Sequence, residues 1–431
     1  MFDCVLFNKV LGTADFASPN LLFVFGLFLM LGVLGATVAH KVKWLPTITA
    51  FMLIGIAIGP SGADLISTEI LHKSSAIIDV ALGLILYKLG SEVQLRHLLR
   101  STPIWRSSLL EAAMTFVCSF VVMSLFGVSM VIAALVSAIV VSSSPAVLVH
   151  MADEMRAKGP VVYHAKALVA LNNVLAFFAF SLLLPFVLGE TQFHWLDVLG
   201  IPFYRAVGAA LIGLVVALIM ERVDRTLNKE DEHFRFALII GGMTVTLGLA
   251  AMFGVSSLFA ALTLGIATRW LETQRQGLSS IEFGASGDIF FIALFVMAGA
   301  NLHVQDLGDI GLLAIVLAVV RSAAKHFSLH MSRRRSEHNA RQTFAVSLML
   351  LPMGGLAIGL AQTLQGFSPE MGSKVTAIVF AMVALLEMLG PFAVSAAIKL
   401  TGESPLFRPA PSAKEGEEES SEAVPEEKSK T

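Results

Sequence analysis

Apolar residues fall in long runs along this chain, and short polar or charged segments separate the runs. An α-helix needs about 20 predominantly apolar residues to cross the hydrocarbon core of a bilayer. About thirteen runs approach that length, at residues 20–39, 45–60, 74–90, 106–126, 129–149, 163–188, 203–221, 234–252, 255–269, 285–301, 308–328, 342–363 and 373–399. They do not alternate in polarity as the strands of an outer-membrane barrel do. The pattern therefore predicts an all-α polytopic membrane protein with about 13 transmembrane helices.

Lys and Arg residues are distributed unevenly between the segments that separate the runs. The segments after odd-numbered runs carry Lys41, Lys43, Arg96, Arg100, Arg106, Arg156, Lys158, Arg222, Arg225, Lys229, Arg269, Arg275, Arg333, Arg334, Arg335 and Arg341. The alternate segments carry only Lys73, Arg205 and Lys374. Because basic residues collect in cytoplasmic loops, we expect the N-terminus outside and the C-terminus in the cytoplasm.

The composition agrees with a membrane protein and argues against several other classes. Hydrophobic residues make up 56% and charged residues 14% of the 431 positions, whereas soluble domains contain about 25% charged residues. The net charge of −2 gives no indication of a nucleic-acid partner. Cys4 and Cys118 are too few for a disulfide or metal framework. No nucleophile–base constellation, metal-ligand spacing or phosphate-binding loop occurs, so we expect neither an enzyme nor a cofactor.

The end of the chain differs in composition from the rest. Residues 404–431 are acidic, rich in Ser, Pro and Glu, and almost without large apolar residues. Such a segment cannot bury enough apolar surface to offset the entropy of folding. We therefore expect a transmembrane domain at residues 1–403 and a disordered acidic cytoplasmic tail at residues 404–431. A docking site for a partner is the alternative interpretation of the tail.

Two apolar runs contain helix-breaking residues in their interior. These are Ser142, Ser143, Ser144 and Pro145 in the fifth run, and Pro352, Gly354 and Gly355 in the twelfth. Proline removes a backbone donor and clashes with the preceding turn, so both helices are expected to break. Each feature alone could be a simple kink. Because the runs are seven crossings apart and cross the membrane in opposite directions, the pair indicates two inverted repeats whose broken helices cross near the midplane.

The order of several motifs gives a family resemblance. They are LPTITAFMLIGIAIGPSG, LILYKLGSEVQL, SSSPAV, FGVSSLFAALTLGIA, DIFFIALFVMAGANL and ALLEMLGPFAVSAAIKLTGE. Over residues 20–403 the chain resembles the monovalent cation:proton antiporters of the sodium/proton exchanger superfamily, bacterial type. The resemblance implies a dimeric inner-membrane protein in which a core moves against a dimerising panel. It also implies monovalent cations (Na+ or K+), protons and the lipid bilayer as partners.

The sixth run departs from the family pattern. The resemblance implies an acidic pair there that binds the cation and the proton, but this chain has Asn172 and Asn173. An amide does not titrate, although its carbonyl oxygen can bind a hard cation. The two amides, together with the serines of the fifth run, are therefore candidate cation ligands. The alternative is structural, because buried amides also form hydrogen bonds between transmembrane helices.

If protons are coupled to transport, their carrier must lie elsewhere in the chain. Glu387 is near the middle of the last run, where an ionisable residue is a functional candidate. The alternative is a structural glutamate that is neutral or paired. Asp79 and Asp288 are further candidates near the ends of their runs, and simple interfacial placement is their alternative. We expect Glu92 and Glu111, nearer the cytoplasmic side, to form salt bridges with Arg96 or Arg106.

The eleventh run carries two basic residues one turn apart, Arg321 and Lys325. We expect Lys325 to extend to the cytoplasmic interface, whereas Arg321 lies deeper and needs carboxylate or carbonyl partners. The resemblance implies that a basic residue here compensates the crossed helices. Without the acidic pair, that charge favours a neighbouring carboxylate such as Glu387 or an anionic substrate.

These features lead to one leading hypothesis and two alternatives. The leading hypothesis is a secondary active transporter that exchanges Na+ or K+ for protons across the inner membrane. The first alternative keeps the fold without proton coupling, as a uniporter or a carrier of anions or organic solutes. The second is a transport-inactive homologue that acts as a sensor or assembly partner.

Overall fold

The computed structural model describes residues 21–42, 45–63, 65–66, 75–93, 100–184, 195–226, 232–272, 277–280, 284–300, 307–333 and 339–407. Within these residues the regular structure is helical, without strands, as the sequence predicts. The first helices are α1 (Leu21–Lys41), α2 (Thr47–Ile58), α3 (Ser75–Glu92), α4 (Thr102–Leu125), α5 (Met130–Val140), α6 (Pro145–Glu154) and α7 (Pro160–Leu183). They are followed by α8 (Trp195–Asp224), α9 (Glu232–Met252), α10 (Ser257–Leu271), α11 (Gly284–Ala300), α12 (Leu307–Ser332), α13 (Ala340–Met349), α14 (Gly355–Phe367) and α15 (Pro369–Thr401).

Each predicted apolar run overlaps one of these helices or a pair of them. The fifth run comprises α5 and α6, and the twelfth comprises α13 and α14, so both predicted breaks are present. In the described part of the chain, eight spans are long and apolar enough to cross a membrane, and four shorter apolar helices accompany them. The total of thirteen crossings remains a prediction.

The helices pack around the two breaks. The helix α15 contacts α6, α12, α13 and α14, whereas α7 contacts α4, α5 and α6. A second set of contacts joins α2 to α11 and α3 to α10. Beyond α15 the chain stays attached, because Ser404 is buried and its hydroxyl donates to the carbonyl of Met155 at 2.6 Å. Residues 408–431, most of the predicted tail, lie outside the described residues.

Glycines allow direct backbone contact at two helix crossings. A Cβ on Gly55 of α2 would lie 1.9 Å from the carbonyl oxygen of Val296 on α11. A Cβ on Gly265 of α10 would lie 2.1 Å from that of Tyr87 on α3. The helices α2 and α11 are the second and tenth predicted spans, and α3 and α10 are the third and ninth. Under the predicted repeat, the second span corresponds to the ninth and the third to the tenth. The two crossings would then be equivalent, which supports the inverted repeat; the repeat itself remains a prediction.

We expect Gly265→Ala to destabilise the protein by about 1–3 kcal/mol, because overpacking forces two backbones apart. The measurement is the apparent melting temperature of the purified protein in detergent. Gly248→Ala in α9 is the matched control, since nothing lies within 4 Å of the position that its added methyl group would take, and alanine favours a helix over glycine. Equal melting temperatures for the two variants would contradict the close crossing.

Candidate transport site at the two helix breaks

The two broken spans cross at their interruptions. The backbone N–H of Ser144 donates to the carbonyl oxygen of Pro352 at 2.9 Å. The hydroxyl of Ser143 donates to the carbonyl oxygen of Leu350 at 3.1 Å. The helices α5 and α13 end here, and α6 and α14 begin here. Partial negative charges from two helix C-termini and partial positive charges from two N-termini therefore meet in one buried place.

The guanidinium group of Arg321 satisfies the carbonyl groups at this crossing. It is fully buried. Its Nε donates to Val140 O at 2.9 Å, and Nη1 donates to Leu351 O at 2.7 Å. Its Nη2 donates to Ser142 O at 2.7 Å and to Leu350 O at 3.3 Å. One positive charge thus compensates the C-terminal ends of both broken helices, the role that the resemblance implies for a basic residue in this span.

Lys325 is paired with Glu111 of α4, and both side chains are fully buried. The ammonium group also donates to the carbonyl oxygen of Val141 at 3.0 Å, and the hydroxyl of Thr115 donates to Glu111 Oε1 at 3.3 Å. Two expectations were therefore wrong. Lys325 does not extend to the interface, because it points towards α4, and Glu111 does not pair with Arg106, which is exposed.

The two amides bind different neighbours. Asn173 Oδ1 accepts the backbone N–H of Ser143 at 3.1 Å, and Asn172 Oδ1 accepts the hydroxyl of Ser108 on α4 at 3.0 Å. Asn173 therefore supports the break in the fifth span, while Asn172 ties α7 to α4. Both amide nitrogens are buried and have no hydrogen-bond partner in the described structure.

Glu387 lies against the crossing from α15. It is 4% exposed, and its Oε1 accepts the hydroxyl of Ser144 at 3.4 Å. A Cβ on Gly354 would lie 2.5 Å from that same oxygen, so the carboxylate occupies space that only glycine leaves. Pro391, inside α15, lacks the N–H that would otherwise bond to the carbonyl oxygen of Glu387. The carboxylate of Glu387 thus lies at the crossing, and the backbone carbonyl of the same residue lacks its helical donor.

Glu387 differs from the other buried carboxylates of the described residues. Each of those has a basic partner: Glu111 pairs with Lys325, Asp224 with Arg235 and Glu221 with Arg225. Within the described residues, the Glu387 carboxylate forms no ion pair with a Lys, Arg or His side chain. A single buried acid without a counter-charge, at crossed helix ends, can bind either a proton or a metal cation.

Residues 24–396 match the family described as "Sodium/hydrogen exchanger, transmembrane". The chain belongs to this family. The match covers most of the chain, so the exchanger is a multi-pass membrane protein, and its family supports cation:proton exchange as its activity. The family recognised from the motifs is thereby confirmed.

Solved structures have the same fold as the exchanger. The chain is similar to the structure of the sodium proton antiporter MjNhaP1 from Methanocaldococcus jannaschii at pH 8, with 19% sequence identity and a TM-score of 0.67. The match covers 88% of this chain and 96% of that chain. A structure of MjNhaP1 from electron microscopy gives 20% sequence identity and a TM-score of 0.70, and the match covers 88% of this chain and 95% of that chain. No curated protein matches the sequence. The structural similarity establishes the antiporter-like fold.

The remaining predicted residues of the exchanger take local roles or lie apart from the crossing. The hydroxyl of Ser142 bonds to the carbonyl of Ile139 at 2.7 Å, and Pro145 begins α6. Gly355 packs against Leu82. Asp79 is exposed on α3.

One prediction falls outside what the structure describes. Asp288 lies on α11, but its side chain is outside the described residues. Its candidacy as a proton carrier therefore remains a prediction.

Proposed function

We propose that the exchanger carries a monovalent cation, Na+ or K+, and protons alternately on the Glu387 carboxylate. The observation that carries this proposal is the absence of a basic partner for Glu387 among the described residues, at a place where the carboxylate touches Ser144 of the break. A carboxylate can bind a proton or a hard cation, whereas the amides of Asn172 and Asn173 cannot titrate.

The cation ligands in this proposal are oxygen atoms around the break. They are the Glu387 carboxylate, the Ser144 hydroxyl, the backbone carbonyl that Pro391 leaves without its helical donor, and the second lone pair of Asn173 Oδ1. Alkali cations bind such oxygen donors. In this arrangement Asn173 also holds the unwound segment in place through Ser143. Ser142, Asn172 and the break residues Pro352, Gly354 and Gly355 shape the site around these ligands.

The fixed charges around Glu387 favour one-for-one exchange. Arg321 is bound to backbone carbonyl groups, and Lys325 is neutralised by Glu111. Among the described residues, the Glu387 carboxylate is then the one titratable group left at the site. It is neutral when it carries a proton, and the complex of the carboxylate with a monovalent cation is also neutral. The loaded site therefore has the same charge in both directions of transport, which makes the exchange electrically silent.

The same charges argue against an anion as substrate. The anion-carrier alternative requires a positive group in the site that is available to the substrate. Arg321 already donates to four carbonyl oxygens, and Lys325 donates to Glu111 and to one carbonyl oxygen, so neither charge is available. A uniporter and a transport-inactive homologue are the alternatives that the functional experiment separates.

The membrane orientation, the oligomeric state and the movement during transport are also part of this proposal. The exchanger is an inner-membrane homodimer with its N-terminus outside, and its helices around the breaks move as a core against a dimerising panel. Residues 1–403 form the transmembrane domain, and residues 404–431 form an acidic cytoplasmic tail whose first residue, Ser404, is held against the domain. The basic loops that follow odd-numbered runs support this orientation.

Purified protein in liposomes that contain a trapped pH dye tests the function. With protons at equilibrium, addition of Na+, K+ or Li+ outside is expected to make the lumen more alkaline, because cations enter as protons leave. The change should be independent of an imposed membrane voltage. No response to any of these cations at any pH from mildly acidic to alkaline would contradict the proposal. Cation uptake without proton movement would favour the uniporter.

A further inference from the structure

A cavity of about 1270 Å³ opens at the end of the molecule that the basic loops predict to be cytoplasmic. Its walls come from α2, α3 and α11 on one side and from α6 and α7 on the other. Both α6 and α7 connect it to the transport site. His150 on the wall is six residues beyond Ser144, and Lys166 is seven residues before Asn173. At 1.5 Å per residue, the floor of the cavity is about 10 Å from the break.

Lys166 lies at this floor and forms an ion pair with Glu92 of α3. The Lys166 side chain is 8% exposed, and the Glu92 side chain is 30% exposed. Seven residues make almost two full helical turns, so Lys166 and Asn173 lie on the same face of α7. A fixed positive charge therefore lies between the cavity and the proposed cation ligands.

An unpaired charge at that place would oppose the proposed substrate. Two like charges about 10 Å apart repel each other appreciably when the effective dielectric constant is near 20, and weakly in bulk water. Glu92 cancels the charge of Lys166 and presents its carboxylate to the cavity. The pair Lys88–Asp153 lines the same cavity but is more exposed, so its field is screened more strongly.

We propose that the Lys166–Glu92 pair is the charge filter between the cavity and the transport site. With Glu92 in place the filter admits monovalent cations, and without Glu92 the same lysine repels them. This inference rests on the proposed function, since it concerns the route of the cation that Glu387 binds. It makes both residues determinants of cation access, without direct contact with the transported ion at Glu387.

The apparent KM for Na+ or K+ in the liposome assay tests the filter. Glu92→Gln is expected to raise this KM about three- to tenfold without changing the maximal rate, because the uncompensated charge of Lys166 repels the cation. The double variant Lys166→Gln with Glu92→Gln should have a KM within about twofold of the wild-type value. A buried lysine without its carboxylate can lose its proton, so a third variant combines Lys166→Arg with Glu92→Gln. It retains the charge and should also show the raised KM.

Two controls separate charge from loss of a contact. Glu370→Gln removes the exposed ion pair with Lys374 at the other end of the molecule, and its KM should stay at the wild-type value. Lys166→Gln alone should lower the KM or leave it unchanged, and it is informative even where Glu92→Gln does not fold. A KM that rises equally in the single and double variants would overturn the filter, because a structural contact would explain it.

A second readout does not depend on transport. Tyr163 lines the cavity three residues before Lys166 and is partly exposed, and Tyr163→Cys, with Cys4 and Cys118 replaced by Ser, gives one reactive thiol. Its rates with a cationic and an anionic thiosulfonate of similar size report the local potential. Adding Glu92→Gln should lower the cation-to-anion rate ratio about threefold or more. An unchanged ratio would overturn the filter even with exchange intact. A changed ratio in a protein without exchange would support the filter and contradict the proposed function.

Discussion

Replacing Glu387 by Gln is expected to abolish cation-dependent proton movement, to the level of liposomes without protein. Glutamine has nearly the same size, and its amide oxygen can still accept the hydroxyl of Ser144. The change therefore preserves the packing against Gly354 and removes the one property that the proposal needs, which is a titratable negative charge. The measurement is the initial rate of lumenal pH change after addition of Na+ or K+.

Glu387→Asp and Asp79→Asn are the matched variants for this test. Aspartate keeps the charge but withdraws it by one methylene group from the break, so slower exchange with a raised KM is expected. Asp79 is an exposed carboxylate on α3, and its neutralisation should leave the rate near the wild-type value. Wild-type exchange by the Gln variant would show that another group carries the proton.

The apparent KM for the cation is also expected to depend on pH, because protons and cations compete for the Glu387 carboxylate. A proton bound to Glu387 excludes the cation, so the apparent KM for the cation should rise as the pH falls. In the range where the group is mostly protonated, one pH unit changes the KM about tenfold, since one proton is displaced per cation. A KM that is independent of pH would contradict a shared site.

The breaks in the broken spans could be predicted from sequence because their cause is local. Pro145 lacks a backbone donor, and Pro352 and Gly354 interrupt an apolar helix, so each break follows from the chemistry of a few adjacent residues. Glu387 was identified for a similar reason, since an ionisable side chain in the middle of an apolar run needs an explanation wherever its partners are.

The ion pairs could not be predicted in the same way, because they depend on how distant helices are rotated against each other. Lys325 and Glu111 are 214 positions apart, and nothing in the spacing of either run indicates their contact. The assumption that a lysine reaches the nearest interface was wrong for this reason. Glu92 was expected to pair with Arg96 or Arg106, and its ion pair with Lys166 at the cavity floor was missed for the same reason.

The second large effect is expected from breaking the pair between Lys325 and Glu111. Glu111→Gln leaves the buried ammonium group without its carboxylate, and Lys325→Met leaves the carboxylate without its cation. Removing one partner of a buried pair costs about 3–5 kcal/mol, because the remaining charge stays desolvated. Each single variant should therefore have a clearly lower apparent melting temperature in detergent, and little folded protein is expected near 37 °C.

The double variant, Glu111→Gln with Lys325→Met, separates the role of the pair from that of its charges. It removes both charges, so its melting temperature should exceed that of each single variant, since replacing a whole buried pair is often neutral in stability. It should also exchange cations for protons, because Arg321 still compensates the carbonyl groups of the crossing. A stable double variant without exchange would place the coupled proton on this pair, in contradiction to the role of Glu387. With exchange retained, the pair is a structural tie between α4 and α12, and the coupling belongs to the one buried acid that lacks a counter-charge in the described structure.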